Sequence, residues 1–77
     1  NSRWYPLPEL SPLVGMTLDE GNLRRLTGVS LMAIQRQNGE EVDYPDAKTV
    51  LEAGDRLLII GQPDELAAFD ELAKGGA

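Results

Sequence analysis

Two predicted strands of this sequence carry apolar side chains on both of their faces, and no other feature constrains the fold as strongly. Residues 57–60 are Leu-Leu-Ile-Ile, apolar without a break. Residues 29–36 alternate, with Val29, Leu31 and Ala33 on one face and Met32 and Ile34 on the other. A strand of this kind has to be covered on both faces. We therefore expect the sheet that holds these two strands to be shielded from water on both sides.

Turn and capping signals place the first two elements. Residues 3–7 predict a first strand, which Pro6 confines to an edge of the sheet. The run Thr17-Leu18-Asp19-Glu20 has the spacing of a capping box, in which each end residue accepts a hydrogen bond from the other's backbone. A short helix is predicted from there to about Thr27, because Gly28 supplies the left-handed residue that ends a helix.

The second half of the chain predicts a hairpin and a last helix. Asn38-Gly39 is the pair favoured in two-residue hairpin turns, and it leads into a return strand over residues 40–44. The last helix is predicted to begin at Pro63 and to end at Gly75-Gly76. Its apolar residues recur with helical spacing and form one face: Leu66, Phe69, Leu72 and Ala73.

The resulting order, β-α-β-β-β-α, predicts a small α+β fold with a sheet of about four strands and two helices. Helices normally cover one face of such a sheet, so the other face needs another cover. Because most soluble oligomers are two-fold homodimers, we predict a homodimer formed through the uncovered sheet face, with Leu31, Met32 and Ile34 in the interface. The alternative cover is the rest of a longer parent protein. We expect residues 1–77 to be a single domain cut from such a protein.

The composition argues against catalytic and metal sites. The sequence contains no Cys and no His. Thiol nucleophiles, disulfides, thiolate and imidazole metal ligands and the usual near-neutral acid–base group are therefore all absent. The adjacent carboxylates at helix starts, such as Asp19 and Glu20, already have a capping role. We expect neither an enzyme nor a metal site.

Charge and hydropathy limit the partners. The chain carries 13 acidic and 7 basic residues, a net charge of −6. Such a surface repels polyanions, so we expect no binding of DNA or RNA, although one locally positive pocket can still hold a small anion. No apolar run approaches the roughly 18 residues of a transmembrane helix, so we expect no direct membrane insertion by this domain.

The candidate binding site is the end of the strand over residues 29–36. Gln35 and Arg36 directly follow Ile34. A two-fold axis at the interface would bring two copies of this amide and guanidinium together in an otherwise apolar groove, which is the usual form of a ligand site. We predict that a compact polar or anionic ligand would contact Val29, Ile34, Gln35 and Arg36. The alternative is an ordinary solvated strand end.

Three blocks of sequence carry a family resemblance. They are Ser-Pro-Leu-Val-Gly-Met-Thr-Leu at residues 11–18, Leu-Thr-Gly-Val-Ser-Leu-Met-Ala-Ile at 26–34, and Val-Leu-Glu-Ala-Gly-Asp-Arg-Leu-Leu-Ile-Ile-Gly at 50–61. In this order and spacing they resemble the C-terminal TrkA domain, also called the C-terminal RCK domain (regulator of conductance of potassium). The resemblance covers residues 9–73 and implies an α+β fold that dimerises.

The resemblance also implies a function. Members are non-catalytic regulatory domains on the cytoplasmic side of bacterial inner-membrane transport proteins for potassium or other monovalent cations. The segments before Ser11 and over residues 26–34 look most like the versions attached to Kef-type cation:proton antiporters. The expected partners are a second copy and the membrane-embedded transporter or channel portion of the same or an associated chain. The alternatives are a purely structural dimerisation module without ligand, and a regulatory subunit domain of a potassium channel or uptake system.

The resemblance also implies one candidate ligand. Some members bind cyclic di-AMP in the dimer cleft, using the strand that corresponds to residues 29–34, and in those members an Arg directly follows the Ile. This chain has Gln35 at that place and Arg36 one residue further on. A shift by one residue turns a strand side chain to the opposite face. We therefore expect no bound cofactor, with cyclic di-AMP or another small nucleotide as the alternative.

Overall fold

The computed structural model describes residues 1–75, in which seven short elements follow one another. They are β1 (Ser2–Pro6), α1 (Leu18–Gly21), α2 (Leu23–Thr27), β2 (Ser30–Gln35), β3 (Glu41–Asp43), β4 (Arg56–Ile60) and α3 (Pro63–Lys74). Gly75 caps α3 in a left-handed conformation, with φ of 80°. The second residue of the predicted helix end, Gly76, lies outside the described residues.

The four strands form one antiparallel sheet in the order β1-β4-β2-β3. As the position of Pro6 predicts, β1 lies at an edge. The short strand β3 lies at the other edge, and it follows a turn in which Gly39 has a φ of 92°. The sheet and the element order agree with the predicted α+β architecture.

The first helical segment begins at the predicted capping box but is divided at Asn22. The Oγ1 atom of Thr17 accepts a hydrogen bond from the backbone N–H of Glu20 at 3.1 Å, and Glu20 Oε1 accepts one from the N–H of Thr17 at 2.9 Å. Asn22 then adopts a φ of 53°, which ends α1 after one turn; α2 continues to Gly28. The prediction of a single helix missed this break, because asparagine tolerates the left-handed conformation without the clear signal of a glycine.

A β-bulge in β2 interrupts the alternation that the sequence predicted. Leu31 pairs with Ile59, and Ala33 pairs with the neighbouring Leu58, so Met32 is an extra residue with no partner of its own on β4. An extra residue moves every side chain beyond it to the other face of the sheet. Side chains therefore alternate between the two faces before Met32 and again after it, but the two halves of the strand are offset by one residue.

Because of the bulge, Leu31 and Ile34 share the face of the sheet that the helices cover. Their partners on β4, Ile59 and Leu57, are both fully buried. The prediction that Leu31 and Ala33 share one face while Met32 and Ile34 share the other is wrong for this reason. Simple alternation counted through Met32 places Ile34 on the wrong side.

The core lies between the helices and one face of the sheet. Tyr5 of β1 stands edge-on to Phe69 of α3, with 5.1 Å between the ring centres. The largest fully buried apolar side chains are Val29, Ile34, Leu51, Leu57, Ile59 and Phe69. Burying one such side chain stabilises a fold by roughly 1.5–3 kcal/mol. All of these residues belong to one cluster, which leaves the second face of the sheet without a cover from residues 1–75.

Candidate functional site

The candidate functional site is the face of the sheet turned away from the core, called the open face below. Residues that pair across neighbouring strands project to the same side, so the strand register arranges this face in rows. Across β1, β4, β2 and β3 the rows are Pro6, Arg56, Gln35 and Glu41; then Trp4, Leu58, Ala33 and Asp43; then Ser2, Ile60 and Ser30. The charged side chains occupy the first row and the β3 edge, and the rest is largely apolar.

Large apolar side chains of the open face reach solvent. Trp4 is 38% exposed and Ile60 is 40% exposed, with the half-buried Leu58 between them in the register. Tyr44, next to β3, is 83% exposed and holds a φ of 52°, which few non-glycine residues adopt. A shallow depression of about 390 Å³ lies between Met32, Ala33, Asp43, Tyr44 and Leu58. An exposed apolar patch with a polar rim is typical of an interaction surface.

The charges of the open face are divided between its two edges. Arg56 extends toward β1, where its guanidinium carbon lies 5.9 Å from the centre of the Trp4 ring. A cation at that distance from an indole face is attracted by the ring. The two carboxylates, Glu41 and Asp43, are exposed on β3 at the opposite edge. The face therefore presents a cation toward one edge and two anions along the other.

The predicted interface residues do not all reach the open face. Met32 borders the open face at the depression beside Tyr44. It also lines, together with Leu31 and Val29, a separate cleft of about 350 Å³ that residues of α1 and α2 border. Ile34 is fully buried in the core, so its side chain does not reach the open face. Contact between these residues and a second chain stays a prediction.

Arg36, the predicted anion-binding residue, is held inside the chain. Its Nη1 atom lies 2.6 Å from Oδ2 of Asp55 and donates a hydrogen bond of 2.9 Å to the carbonyl oxygen of Val50. The Arg36 side chain is only 10% exposed and that of Asp55 is not exposed at all. Glu52 adds a further carboxylate at 3.8 Å. The guanidinium is thus occupied on the covered side of the sheet.

The four residues predicted to hold a ligand are therefore not brought together on one accessible surface. Val29 and Ile34 are in the core, and Arg36 is bound to Asp55. Gln35 pairs with Arg56 and Glu41 in the first row of the open face. Whether any of the four contacts a ligand stays a prediction, but Gln35 is the one that stands on the open face.

Sequence reasoning missed most of the open face. Leu58 and Ile60 alternate with buried residues in the apolar run, and Trp4 precedes the buried Tyr5. Predicting that β1 pairs with β4 would therefore have placed all three exposed side chains on the same face of the sheet. The bulge and the left-handed conformation of Tyr44 left no comparable signal in the sequence.

Among residues 1–75 no group of three or more Asp or Glu side chains is placed to hold a metal ion. Within the same range, every helix is too short or too polar to cross a bilayer. Two buried polar atoms, Arg36 Nε and Asp55 Oδ1, lack a hydrogen-bond partner in the described part of the chain, and both belong to the enclosed ion pair.

Known proteins match this chain over most of its length. The family model described as the TrkA-C domain matches residues 3–74. An uncharacterised transporter of Rhodopirellula baltica is 40% identical over 84% of this chain and 12% of its own length. The ammonium/H⁺ antiporter subunit AmhM of Alkalihalophilus pseudofirmus is 28% identical over 90% of this chain and 41% of its own. The Ktr system potassium uptake protein A of Vibrio alginolyticus is 37% identical over 74% of this chain and 26% of its own, so the chain spans less than half of each relative.

Solved structures share the fold. An RCK_C domain dimer of S. agalactiae BusR in complex with cyclic di-AMP superposes with a TM-score of 0.86 at 25% identity, over 95% of both chains. The RCK C domain of the potassium transport protein KtrA, also in complex with cyclic di-AMP, gives 0.82 at 25% identity, over 92% of this chain and 80% of that one. The RCK domain of GsuK gives 0.79 at 32% identity, over 96% of this chain and 16% of that one. These matches confirm the predicted α+β class.

Proposed function

Because the chain belongs to the TrkA-C domain family, we propose that it is a dimeric regulatory domain of a membrane transport protein for potassium or another monovalent cation. It lies on the cytoplasmic side of the inner membrane and has no catalytic activity of its own. Its partners are a second copy and the membrane-embedded portion of the same or an associated chain. The residue range 1–77 is one structural unit within that larger protein.

The observation that carries the proposal is the open face. Four elements of the sheet contribute side chains to it, and its apolar residues include Trp4, Leu58 and Ile60. An identical face on a second copy is the simplest complementary surface, because a two-fold interface brings the same patch of both subunits together. Two sheets pack face to face in this way at about 10 Å, with their inner side chains interdigitated. The dimeric BusR domain supports dimerisation for a chain of the same fold.

The relatives support a cation transporter as the parent protein. An ammonium/H⁺ antiporter subunit and a potassium uptake protein both contain a segment similar to this chain. We favour a cation:proton antiporter of the Kef type, on the resemblance over residues 26–34, with a potassium channel or uptake system as the second choice. We expect no contact with DNA by this domain, because its net charge is −6. BusR has been captured on promoter DNA, but this chain corresponds to only 35% of that protein.

A ligand-sensing role is the second candidate, and cyclic di-AMP is its best ligand. Two neighbours at 25% identity are complexes with that dinucleotide. The chemistry of this chain favours it less, because Arg36 is occupied by Asp55 and Gln35 carries no charge. The acidic neighbours Glu41 and Asp43 would also repel a phosphate approaching the open face. We therefore place dimerisation ahead of nucleotide sensing.

The test of the proposal is the assembly state of the chain and its dependence on the open face. We expect a dimer by light scattering at about 100 µM, and a shift toward monomer for Ile60→Asp, because an interface cannot bury an unpaired carboxylate without a cost of several kcal/mol. Leu10→Asp is the matched control: Leu10 is 97% exposed in the loop between β1 and α1 and belongs to none of the rows of the open face. Circular dichroism shows whether each variant folds. A monomeric wild type, or equal effects of the two substitutions, contradicts the proposal.

A further inference from the structure

The open face carries its positive and negative charges on opposite sides, and this separation bears on how two copies can pack. Arg56 belongs to β4, but its guanidinium leans over Trp4 of the edge strand β1. Glu41 and Asp43 project from β3 at the other edge. Among residues 1–75, the ion pairs within the chain involve Arg36 and Lys74, so the Arg56 guanidinium has no carboxylate within 4.0 Å.

Two identical sheets can pack face to face about a two-fold axis that lies in the interface in two principal ways. If the axis runs parallel to the strands, the order of the strands is reversed in the partner and each row faces the same row. The partner's β3 then lies over β1, and the partner's β2 lies over β4. If the axis runs across the strands, each strand faces its own copy and the rows are reversed. The first row then faces the third.

The axis parallel to the strands brings opposite charges together. The Arg56 guanidinium already lies over β1, which is where this arrangement places the partner's Glu41 and the partner's Asp43. The symmetry repeats the contact on the other side of the interface, so two such clusters form. The cation already leans toward the edge that the partner's carboxylates would cover in this arrangement.

The axis across the strands leaves the same charges without partners. Arg56 in the first row would face the third row of the partner, where the partner's Ile60 stands. Glu41 would face the end of the partner's sheet, because β3 has no residue in the third row. Covering a guanidinium with an aliphatic side chain removes its hydration and returns no hydrogen bond. Charge complementarity therefore favours the axis parallel to the strands.

We propose that the dimer forms about a two-fold axis parallel to the strands, with Arg56 of each copy bound to Glu41 and Asp43 of the other. The proposal rests on the dimer proposed above and specifies its geometry. The charged rim then fixes the orientation of the two copies, while Trp4, Leu58 and Ile60 supply the apolar contact. Rim charges of this kind set specificity and orientation more than they set affinity.

A charge-swap experiment tests the orientation. Arg56→Glu makes the facing clusters wholly acidic, and Glu41→Arg with Asp43→Arg makes them wholly basic. Each variant alone should dimerise at least about tenfold more weakly than the wild type, because like charges then face each other. Mixed one to one, the two variants should recover a heterodimer of near wild-type affinity, since opposite charges meet at both clusters. Native mass spectrometry distinguishes the heterodimer from the two homodimers by mass.

Arg25→Glu is the matched control, since Arg25 is exposed on α2, on the covered side of the sheet. It lowers the net charge from −6 to −8, as Arg56→Glu does, and should leave the dimer affinity unchanged within about twofold. If the wild type dimerises but the mixture shows no preference for the heterodimer, the orientation is wrong and the dimer stands. If the wild type is monomeric, both proposals fail. If Arg25→Glu and Arg56→Glu weaken the dimer equally, net charge is the cause and the proposed orientation is also wrong.

Discussion

At the scale of single residues, Arg36 shows that the sequence can identify a cation without showing which groups surround it. The sequence identifies it as a cation at the end of an apolar strand, which is a reasonable anion site. Its partner Asp55 lies 19 residues further along the chain, and the two meet only because β2 and β4 are neighbours in the sheet. Asp55 also accepts the N–H of Glu52 at 2.8 Å, so the pair fixes the turn before β4. No local pattern in the sequence predicts this contact.

Tyr5 gives a prediction at the same scale. Its hydroxyl donates a 2.7 Å hydrogen bond to Asp70 Oδ1 across the space between β1 and α3. Burial, together with this hydrogen bond and the charge of Asp70, raises the pKa of Tyr5 from 10.0 to about 12. A group whose pKa is higher in the folded state gives a stability that is fully present below its unfolded pKa and is lost as the pH rises through the folded one. The contribution of Tyr5 is therefore complete below pH 10 and lost between pH 10 and about pH 12.

Tyr5→Phe should accordingly lower the free energy of unfolding by about 1 kcal/mol at pH 7, the value of one hydrogen bond. It should also make the decline in stability above pH 10 shallower than in the wild type, because the titrating group is gone. Urea unfolding at a series of pH values measures both effects. Tyr44→Phe is the control, because Tyr44 is 83% exposed. A wild type whose stability is flat to pH 12 would contradict the assignment.

At the scale of elements, local signals predicted where each element begins or turns more reliably than which way its side chains face. The capping box at Thr17, the turn at Asn38-Gly39 and the start of α3 at Pro63 depend on residues close together in the sequence, and the structure has all three. The turn differs from the predicted two-residue form, because the N–H of Arg36 donates to the carbonyl oxygen of Glu40 and three residues, 37–39, form the loop. Of the pair, only Gly39 has a positive φ. The break at Asn22 and the bulge at Met32 were missed. Both depend on how the element packs against its neighbours, which a pattern of apolar residues does not contain.

Gly28, at the junction of α2 and β2, carries the prediction at this scale. It has a φ of 91°, and a Cβ atom there would overlap the carboxylate of Glu65. Gly39 has nearly the same φ, 92°, but open space around it. Gly39→Ala should cost about 1 kcal/mol from the left-handed backbone alone. Gly28→Ala should cost roughly 2 kcal/mol or more, because it also displaces the side chain that caps α3 by accepting the N–H of Gln62.

The double variant Gly28→Ala with Glu65→Ala separates the two contributions. If the overlap with Glu65 destabilises the Gly28→Ala variant, the double variant should lose less stability than the sum of the two single losses. The reason is that removing the Glu65 side chain also removes the clash, and the cap of α3 can be lost only once. Thermal or urea unfolding of the four chains provides the comparison. Equal losses for Gly28→Ala and Gly39→Ala would show that the side chain of Glu65 moves aside without cost.

At the scale of the whole molecule, the open face could be predicted from the number of helices and strands. Two strands that are apolar on both faces need a cover on each side of the sheet, and two helical regions cover only one side. The structure leaves the other face open to solvent among residues 1–75. The composition of that face could not be predicted, because it depends on the pairing of β1 with β4 and on the phase shift at Met32. The sequence thus predicted that a face would be open, and the fold decides which residues stand on it.

Nucleotide binding would be a property of the whole assembly, since a ligand in the cleft of the proposed dimer would contact two copies that each carry a net charge of −6. An anion binds such an assembly only where free basic groups are concentrated. In this chain Arg36 is occupied by Asp55, and Gln35 stands where the ligand-binding relatives are expected to carry an Arg. We therefore predict that calorimetric titration of cyclic di-AMP into the wild type gives a Kd weaker than about 100 µM, which corresponds to less than about 5.5 kcal/mol of binding free energy.

Gln35→Arg should restore affinity, because it places a guanidinium on the open face next to Arg56. A hydrogen bond between a guanidinium and a phosphate contributes roughly 1.5–3 kcal/mol, so the Kd should fall at least about tenfold. Gln37→Arg is the matched control: it adds the same charge at an exposed position beyond the end of β2, outside the rows of the open face. A gain for Gln35→Arg alone would locate the ligand on the open face. Micromolar binding by the wild type would instead show that other residues hold the phosphates, and it would move ligand sensing ahead of dimerisation as the role of this domain.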